Sequence, residues 1–393
     1  MKILVICHYG MYEDLTSSFV HHQAAAYVAL GHRVRVLVPI PIGKNGPSGK
    51  RLFPGLECHV VDGVEIYYLR FVSLSNYGRI YFNTPSAVIA LRIHLAECLR
   101  GFRPEVIHAH TLGFDSEIGA WLKGQLHVPL VVTTHGSDSS VPMERGEGDR
   151  MKHCCDQADV VVAVSSVLAE KLRACGTKTP ICSILNGFVL EYAEQEEKRP
   201  YSMVQTGTLS EQKRVSVTIR AFAQLKKRYP EFTLTVIGSG PDRETLEELC
   251  RKLHVDGSVR FLGQLPHGEA LVEMSKAQFF VMPSVREGFG IVYLEAMASG
   301  CITIGTEGEG IIDLIVSGKN GFLVPPDSPE AIAEKIELCL TNPEWAQKVA
   351  KCGQENARTL TWTHNAEQYV ILFRSLVEGR LSCVCTERDL DER

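Results

Sequence analysis

The stretch Ser284-Val285-Arg286-Glu287-Gly288-Phe289-Gly290-Ile291-Val292-Tyr293-Leu294-Glu295 follows the apolar run Phe279-Phe280-Val281-Met282 and leads into a helical pattern. Glu287 precedes the glycine-rich turn, and Glu295 lies inside the helix. Gly288 and Gly290 leave the backbone bare there, so free N–H groups of the helix start can approach an anionic or hydroxylated ligand. A carboxylate beside such donors suits sugar or ribose hydroxyls, which need a strong, directional acceptor. Taken alone, the same residues also fit an ordinary strand–turn–helix junction carrying two solvated glutamates.

Outward from this segment, short apolar β-rich runs alternate with longer helical patterns. In the first half, strands are expected near 2–7, 33–38, 59–71 (with a turn at Asp62-Gly63), 105–109, 129–134, 159–164 and 181–185. Helices fit at 17–30, 85–101, 114–125 and 166–174. In the second half, strands near 201–206, 232–237, 258–262, 277–282, 301–304 and 321–324 alternate with helices at 213–229, 241–253, 267–275 and 291–299. Continuous apolar strands such as Val160-Val161-Val162-Ala163-Val164 suit parallel sheets covered on both faces. The pattern is α/β, doubly wound and repeated.

A charged stretch ending in Pro200, from Glu191 onward, reads as a linker. The expected organisation is a first domain over 1–190, a second over 191–361, a helix over 362–380 crossing back to the first domain, and a charged tail over 381–393. Helices are expected near 328–341, 343–357 and 362–379, the last amphipathic through Tyr369, Leu372, Phe373, Leu376 and Val377. Asp389-Leu390-Asp391 has metal-binding spacing, but a charged tail is a poor platform for a metal. Two doubly wound domains imply a ligand held between them, at the carboxyl ends of their strands.

At 393 residues the chain has room for two to three domains, and two is the natural division. Hydrophobic content of 45% and charged content of 22% are those of a soluble globular protein. The net charge of −5, without a basic block, argues against a nucleic-acid partner, because neutralising phosphates needs a basic face. The thirteen cysteines are scattered, several inside apolar runs (Cys7, Cys182, Cys250, Cys301), as for reduced core thiols in a reducing compartment. Cys154-Cys155 and Cys383-x-Cys385 lack companions at zinc-finger spacing. Ile3-Leu4-Val5-Ile6-Cys7 is too short for a signal-peptide core and reads as a first buried strand. No run of eighteen apolar residues exists, and the expected location is cytoplasmic.

Candidate site residues fall just after strands. His8-Tyr9-Gly10 follows the first, where Gly10 would let backbone approach a phosphate or an incoming substrate, or would serve a plain turn. Thr134-His135-Gly136-Ser137-Asp138 places a histidine at another strand end, facing a substrate hydroxyl or phosphate, or else buried and structural. His108-x-His110 has metal-like spacing, but zinc needs a third ligand, for which His135 is a candidate. In Gly207-Thr208-Leu209-Ser210-Glu211-Gln212-Lys213-Arg214, Lys213 and Arg214 sit where loop becomes helix, so cation and helix dipole can act together on a pyrophosphate. A solvated basic helix start is the alternative. Gly238-Ser239-Gly240 begins like a dinucleotide fingerprint, but Arg243 occupies the third glycine's place, which weakens a nicotinamide or flavin reading. Gly238 and Gly240 then read as one wall of a nucleotide pocket. Leu265, within Gly263-Gln264-Leu265-Pro266, would offer backbone groups to a base edge, and Gly305-Thr306-Glu307-Gly308-Glu309-Gly310 allows close packing near the same place. Neither a Gly-x-Ser-x-Gly nucleophile motif nor a Walker loop is present.

In this setting the chain resembles the retaining glycosyltransferases of family 4, with the GT-B architecture of two Rossmann-like domains facing across a cleft. The resemblance is carried by the Glu-x7-Glu spacing of Glu287 and Glu295 within Ser-x-x-Glu-Gly-Phe-Gly, and by Glu295-Ala296-Met297-Ala298-Ser299-Gly300. Asn320-Gly321-Phe322-Leu323-Val324-Pro325, Asn186-Gly187 and the loop bearing Lys213 also match in order and spacing. It implies transfer of a sugar from a nucleotide diphosphate sugar, a UDP- or GDP-sugar, with retention at the anomeric carbon. On that pattern Glu287 contacts the donor sugar hydroxyls, while Gly288, Phe289, Gly290 and Ile291 present backbone N–H groups. Glu295 holds the ribose, Lys213 the pyrophosphate, His135 lies near the reacting sugar, and Gly10 brings a loop to the donor phosphates or acceptor. The family often has Arg where this chain has Thr208, which leaves Lys213, helped by Arg214, to stabilise the leaving diphosphate. GT-B enzymes usually work without a metal or other cofactor, and none is expected.

The acceptor is expected to be a glycan or lipid-linked glycan of a bacterial cell-surface polysaccharide. Loops at 42–56 and 71–84 interleave Lys44, Lys50, Arg51 and Arg79 with Phe53, Tyr77, Tyr81 and Phe82, as for a peripheral contact with the inner membrane face or for a solvated loop. Two competing readings share the architecture: a nucleotide-sugar 2-epimerase, which needs no acceptor, and a non-catalytic nucleotide-sugar binding protein.

Overall fold

The computed structural model describes residues 1–8, 19–42, 54–72, 84–139, 142–143, 146–189 and 197–380. Gly10, nearly all of the loops at 42–56 and 71–84, and the tail from 381 lie outside the described residues. Backbone contacts divide the chain into two units: Met1–Leu185 with the segment beginning at Trp362, and Asn186–Thr361.

The first unit runs β1 (Lys2–Ile6), α1 (Phe19–Ala29), β2 (Arg33–Ile42), β3 (Gly55–Val61), β4 (Val64–Val72), α2 (Thr84–Cys98), β5 (Val106–Ala109), α3 (Phe114–Leu126), β6 (Leu130–Thr134), α4 (Gly148–Asp156), β7 (Val160–Ala163), α5 (Ser166–Arg173) and β8 (Ile181–Ser183). Among the described residues these strands form one sheet in the order β3-β4-β2-β1-β5-β6-β7-β8, parallel except for the β3–β4 hairpin. β5, β6 and β7 are buried along their whole length, as sheets covered on both faces require. The run expected as a strand over 59–71 is that hairpin, turning at Asp62-Gly63, a pair suited to a tight turn between twisted strands. α4 has no counterpart among the helices expected from sequence. Only Met151, Cys154 and Cys155 on it are buried, too few to give a recognisable helical period.

The second unit runs β9 (Arg199–Thr206), α6 (Val215–Arg228), β10 (Thr233–Ile237), α7 (Arg243–Lys252), β11 (Val259–Gly263), α8 (His267–Ser275), β12 (Ala277–Val281), α9 (Ile291–Ala298), β13 (Ile302–Thr306), β14 (Phe322–Val324), α10 (Pro329–Thr341) and α11 (Pro343–Thr359). Its sheet order is β11-β10-β9-β12-β13-β14, with every pairing parallel. Phe222, Phe232, Phe279 and Ile304 sit in its core with no exposed surface. The chain winds outward from β9 in one direction and then from β12 in the other, so the strand order reverses between β9 and β12. In the first unit the reversal falls between β1 and β5. Loops leaving the carboxyl ends of strands on either side of such a reversal diverge and leave a crevice between them.

α12 (Trp362–Val377) returns to the first unit and packs on α1. The rings of Tyr369 and Phe373 meet Tyr27 at 6.5 and 5.9 Å between centroids. The Tyr369 hydroxyl lies 2.8 Å from Thr133 Oγ1, Gln23 Nε2 donates to Asn365 Oδ1 at 2.6 Å, and Asn365 Nδ2 donates to Leu185 O at 2.7 Å. These polar contacts fix the helix's rotation as well as its position, because each buried donor left alone would be destabilising by about 1–3 kcal/mol. Among the described residues no helix is long and apolar enough to cross a membrane.

Phe373 is fully buried in this seam. Phe373→Ala is expected to destabilise the first unit by about 3–5 kcal/mol, read as a lower urea midpoint of its unfolding transition.

Candidate functional site

In the second unit the crevice is framed by the loops after β9 and β12, and backbone hydrogen bonds tie those loops together. Val285 N donates to Gln212 O at 2.9 Å, and Gln212 Nε2 donates to Arg286 O at 3.1 Å. Gln205 Nε2, on β9, donates to Lys213 O at 2.7 Å and holds the one-turn 3₁₀ segment Glu211–Lys213. The result is direct contact between the two charges: Lys213 Nζ lies 2.5 Å from Glu287 Oε2, with both side chains largely shielded from solvent. The loop after β13 supports this from the other side. Glu309 accepts the N–H groups of both Arg286 and Glu287 at 2.8 Å, and Gly310 N donates to Glu287 O at 3.3 Å.

α9 starts at Ile291 directly after the turn; Tyr293 N already donates to Gly290 O at 3.0 Å, and the N–H groups that helix geometry leaves without a partner in the helix are those at the turn itself. Gly290 is required at the turn. Its φ is +78°, and a Cβ there would stand 2.7 Å from the Tyr293 ring. That ring is buried beneath the turn, its hydroxyl donating to Met282 O at 2.5 Å and lying 3.0 Å from Ser284 Oγ. Gly288 and Phe289 are also buried, which leaves Gly290 and Ile291 to shape the open side. Glu295, one turn further along α9, accepts from His267 Nε2 at 2.8 Å.

The other glycines of this unit lay backbone against backbone. A Cβ on Gly238, where φ is +129°, would fall 1.9 Å from Gly207 O. Gly238 N donates to Gly263 O at 2.7 Å, and Leu209 N donates to Ser239 O at 2.9 Å, so the loops after β9, β10 and β11 are stitched side by side. Thr208 is exposed on the first of them. Arg214 adopts the left-handed conformation at the start of α6, with Nε 2.9 Å from Asp327 Oδ1 and Nη1 3.2 Å from Glu211 Oε1. Its charge is therefore neutralised away from Glu287, and the structure does not join it to Lys213. Leu265 is half-buried and lines a depression with Arg260, Leu262, Pro266 and Val272 on the α8 side.

In the first unit, histidines collect at the carboxyl ends of β1, β5 and β6. His8 Nδ1 lies 2.8 Å from buried Asp115; burial lowers its pKa, but the carboxylate outweighs this and raises it. His108 and His110 lie on one face of β5, ring centroids 4.2 Å apart, and His110 stacks nearly parallel to His135 at 5.5 Å. His108 Nε2 meets Thr133 Oγ1 at 2.8 Å, and His110 Nδ1 meets His135 Nε2 at 3.3 Å. Burial, reinforced for His110 by the neighbouring rings, pushes His108 down to about 3 and His110 well below the ordinary range, so both rings are neutral. His135 is likewise held at about 3 by burial. Asp138 fixes the loop under His135, accepting from the N–H groups of Leu112, His135 and Gly136 at 2.8, 2.9 and 3.0 Å. Only His110 and His135 lie parallel, His108 being tilted by 42° to His110, and among the described residues no group of three or more His, Cys, Asp or Glu is placed to hold a metal ion.

The structure thus brings Lys213, Glu287 and the Gly288–Ile291 turn together, and sets Glu295 on the same helix. His267 and Glu309 join them without having stood out in the sequence. Their only signal was position: each follows a parallel strand, His267 next to Pro266 and Glu309 within a glycine-rich loop.

Comparison with known proteins bears on the family and the fold. The family model described as glycosyl transferases group 1 matches residues 191–358, and that described as glycosyltransferase family 4 matches residues 16–192. Glycogen synthase of Mycobacterium tuberculosis is 25% identical over 352 residues, covering 86% of this chain and 84% of that protein. Sucrose-phosphate synthase from Thermosynechococcus elongatus is similar in fold, with a TM-score of 0.76 at 22% identity over 96% of this chain and 99% of that one. Anabaena HepE in complex with UDP-glucose gives a TM-score of 0.73 at 18% identity, covering 96% and 100%. The shared architecture is GT-B, two α/β domains with parallel sheets.

Two measurements check the geometry. Gly238→Ala forces either loop apart, so it is expected to destabilise the second unit by about 2 kcal/mol or more, seen as a lower melting temperature. His108 and His110 have folded-state pKa values below the unfolded value of about 6.5, so the unfolded chain binds more protons below that pH. The His108 contribution is complete above about pH 6.5 and falls on acidification toward about pH 3, at roughly 1.4 kcal/mol per pH unit, and His110 acts in the same direction. Urea unfolding between pH 7 and 5 is expected to show this loss, and His108→Gln to reduce its slope.

Proposed function

Because the chain belongs to glycosyltransferase family 4, we propose that it moves a sugar from a UDP- or GDP-sugar to a glycan or lipid-linked glycan acceptor, with retention at the anomeric carbon, in cell-surface polysaccharide synthesis. The observation that carries this reading is the Lys213–Glu287 contact beside the bare start of α9. A diphosphate and a hexose are joined at one bond, and a cation next to a carboxylate matches that pair of neighbours. On donor binding Lys213 turns to the diphosphate and Glu287 to the sugar hydroxyls. Glu295, already oriented by His267, takes the ribose. Anabaena HepE, similar in fold, forms a complex with UDP-glucose, which supports a donor of that class.

The chemical difficulty is charge. Cleavage of the glycosidic bond builds positive character on the sugar and negative charge on the departing phosphate. Once the donor is bound, the Lys213 ammonium and the N–H groups of Gly288–Ile291 face the diphosphate before the bond breaks, so little further reorganisation is needed to stabilise the second charge. The departing phosphate then takes the acceptor hydroxyl's proton on the same face of the sugar, which gives retention without a carboxylate nucleophile. Thr208 brings no charge, so Lys213 alone answers the diphosphate from the loop after β9, and these groups do the work a metal would otherwise do. His135 serves the reacting sugar as a neutral hydrogen-bonding group. The membrane side of the proposal rests on the basic and aromatic residues of the loops at 42–56 and 71–84.

A melting-temperature screen against UDP-, GDP- and ADP-sugars identifies the donor, since a ligand bound only by the folded state raises stability. With that donor, Glu287→Ala and Lys213→Ala are each expected to lower transfer by about 100-fold or more while the melting temperature of the free protein stays within a few degrees. Unchanged turnover in both variants would contradict the site, and isomerisation of the donor sugar with no acceptor present would contradict the reaction.

A further inference from the structure

His110 lies outside every role assigned so far, yet it is 1% exposed and one of its ring nitrogens faces His135. We propose that His110 is a positioning residue that holds His135 in its Nδ1–H tautomer, so that His135 meets substrate as a hydrogen-bond donor and not as a base. The part concerning substrate rests on the role proposed for His135 above.

Proton counting selects the tautomer. Each neutral imidazole carries one N–H and one bare nitrogen. The 3.3 Å contact between His110 Nδ1 and His135 Nε2 needs a single proton between the two atoms. The remaining nitrogen of His110, Nε2, is buried and has no hydrogen-bond partner among the described residues. If His135 supplied the shared proton, the proton of His110 would sit on Nε2 as a buried donor with nothing to receive it. Such orphaned donors are rare, and destabilising by about 1–3 kcal/mol. If His110 supplies the proton from Nδ1, Nε2 is left as a bare buried lone pair, the lesser of the two penalties. His135 Nε2 then accepts, and its own proton must be on Nδ1. Burial keeps both rings neutral, so a doubly protonated state does not reopen the choice.

The surroundings hold this arrangement. His110 stacks on His135 with an interplanar angle of 6°, and Phe19 covers His135 at 4.6 Å between ring centroids. His110 N donates to Ile6 O at 3.0 Å, and His135 N is held by Asp138, so neither backbone is free to shift the rings. A neutral N–H presented at Nδ1 suits an alkoxide-like or phosphate oxygen, and it leaves no lone pair on that nitrogen to take a proton.

Histidine-selective ¹⁵N labelling of the full chain, read by long-range ¹H–¹⁵N correlation, tests this directly, with His135 assigned by its absence in His135→Gln. The expected wild-type spectrum has His135 Nδ1 in the protonated range and Nε2 in the bare range between pH 6 and 8. A protonated Nε2 would overturn the proposal without any variant having to fold. Asn places its amide nitrogen where Nδ1 stands, whereas Gln reproduces Nε2. His110→Asn is therefore expected to keep both the tautomer and turnover of the donor found by the melting screen. His110→Gln is expected to release the tautomer and lower kcat about tenfold, the equivalent of one hydrogen bond, with KM for donor nearly unchanged. An unaltered His135 spectrum in His110→Gln would also overturn it. Full turnover in His135→Gln would instead defeat the role given to His135 in transfer, and would leave the tautomer result standing.

Discussion

An ammonium and a carboxylate can be held 2.5 Å apart at the edge of a parallel sheet only if the loops that carry them cannot separate. Here that constraint comes from topology and backbone. β9 and β12 are neighbours although β10 and β11 lie between them in sequence, so the loops after them leave the sheet side by side. Gln212 then bonds the second loop twice, through its carbonyl and its amide, and Glu309 binds two successive N–H groups of the same loop. Glu287 is thereby fixed by backbone atoms on both sides, which is the rigidity that a preorganised charge requires.

The start of α9 adds the second element. Tyr293 fills the space below the turn and leaves no room for a side chain at Gly290. Sequence features that look like ligand contacts thus have separate physical duties. Gly290 exposes donors, whereas Gly238 and Gly240 bring loops into backbone contact, Gly240 because a Cβ there would stand 2.3 Å from Leu209 O. The interrupted glycine fingerprint after β10 is explained by that packing, and Arg243 in the third place points to Glu247 on its own helix.

Much of this is legible in the chain itself. Apolar runs such as Val160–Ala163 and Phe279–Val281 mark buried parallel strands, and placing the candidate residues just after strands brings Lys213 and Glu287 to one edge. What escapes is of two kinds. α4 buries only three side chains, and no period distinguishes so short a segment from a loop. Arg214, Glu309 and His267 depend on partners far away in sequence: Asp327, the amides of Arg286 and Glu287, and Glu295. Spacing along the chain carries no information about such pairings, so adjacency makes Arg214 look like a companion to Lys213 when the fold sends its charge elsewhere. The histidines after β5 and β6 are similarly ambiguous. Their spacing fits a metal, but burial and ring stacking make them a neutral hydrogen-bonded group.

The second unit is proposed to receive a nucleotide diphosphate at the start of α9, next to Lys213. A crystal structure with UDP or GDP bound tests it most directly. The terminal phosphate is expected within hydrogen-bond distance of Lys213 Nζ and of the Gly288–Ile291 amides, with the ribose on Glu295. A nucleotide bound elsewhere, with the Lys213–Glu287 contact intact and those amides unoccupied, would contradict it.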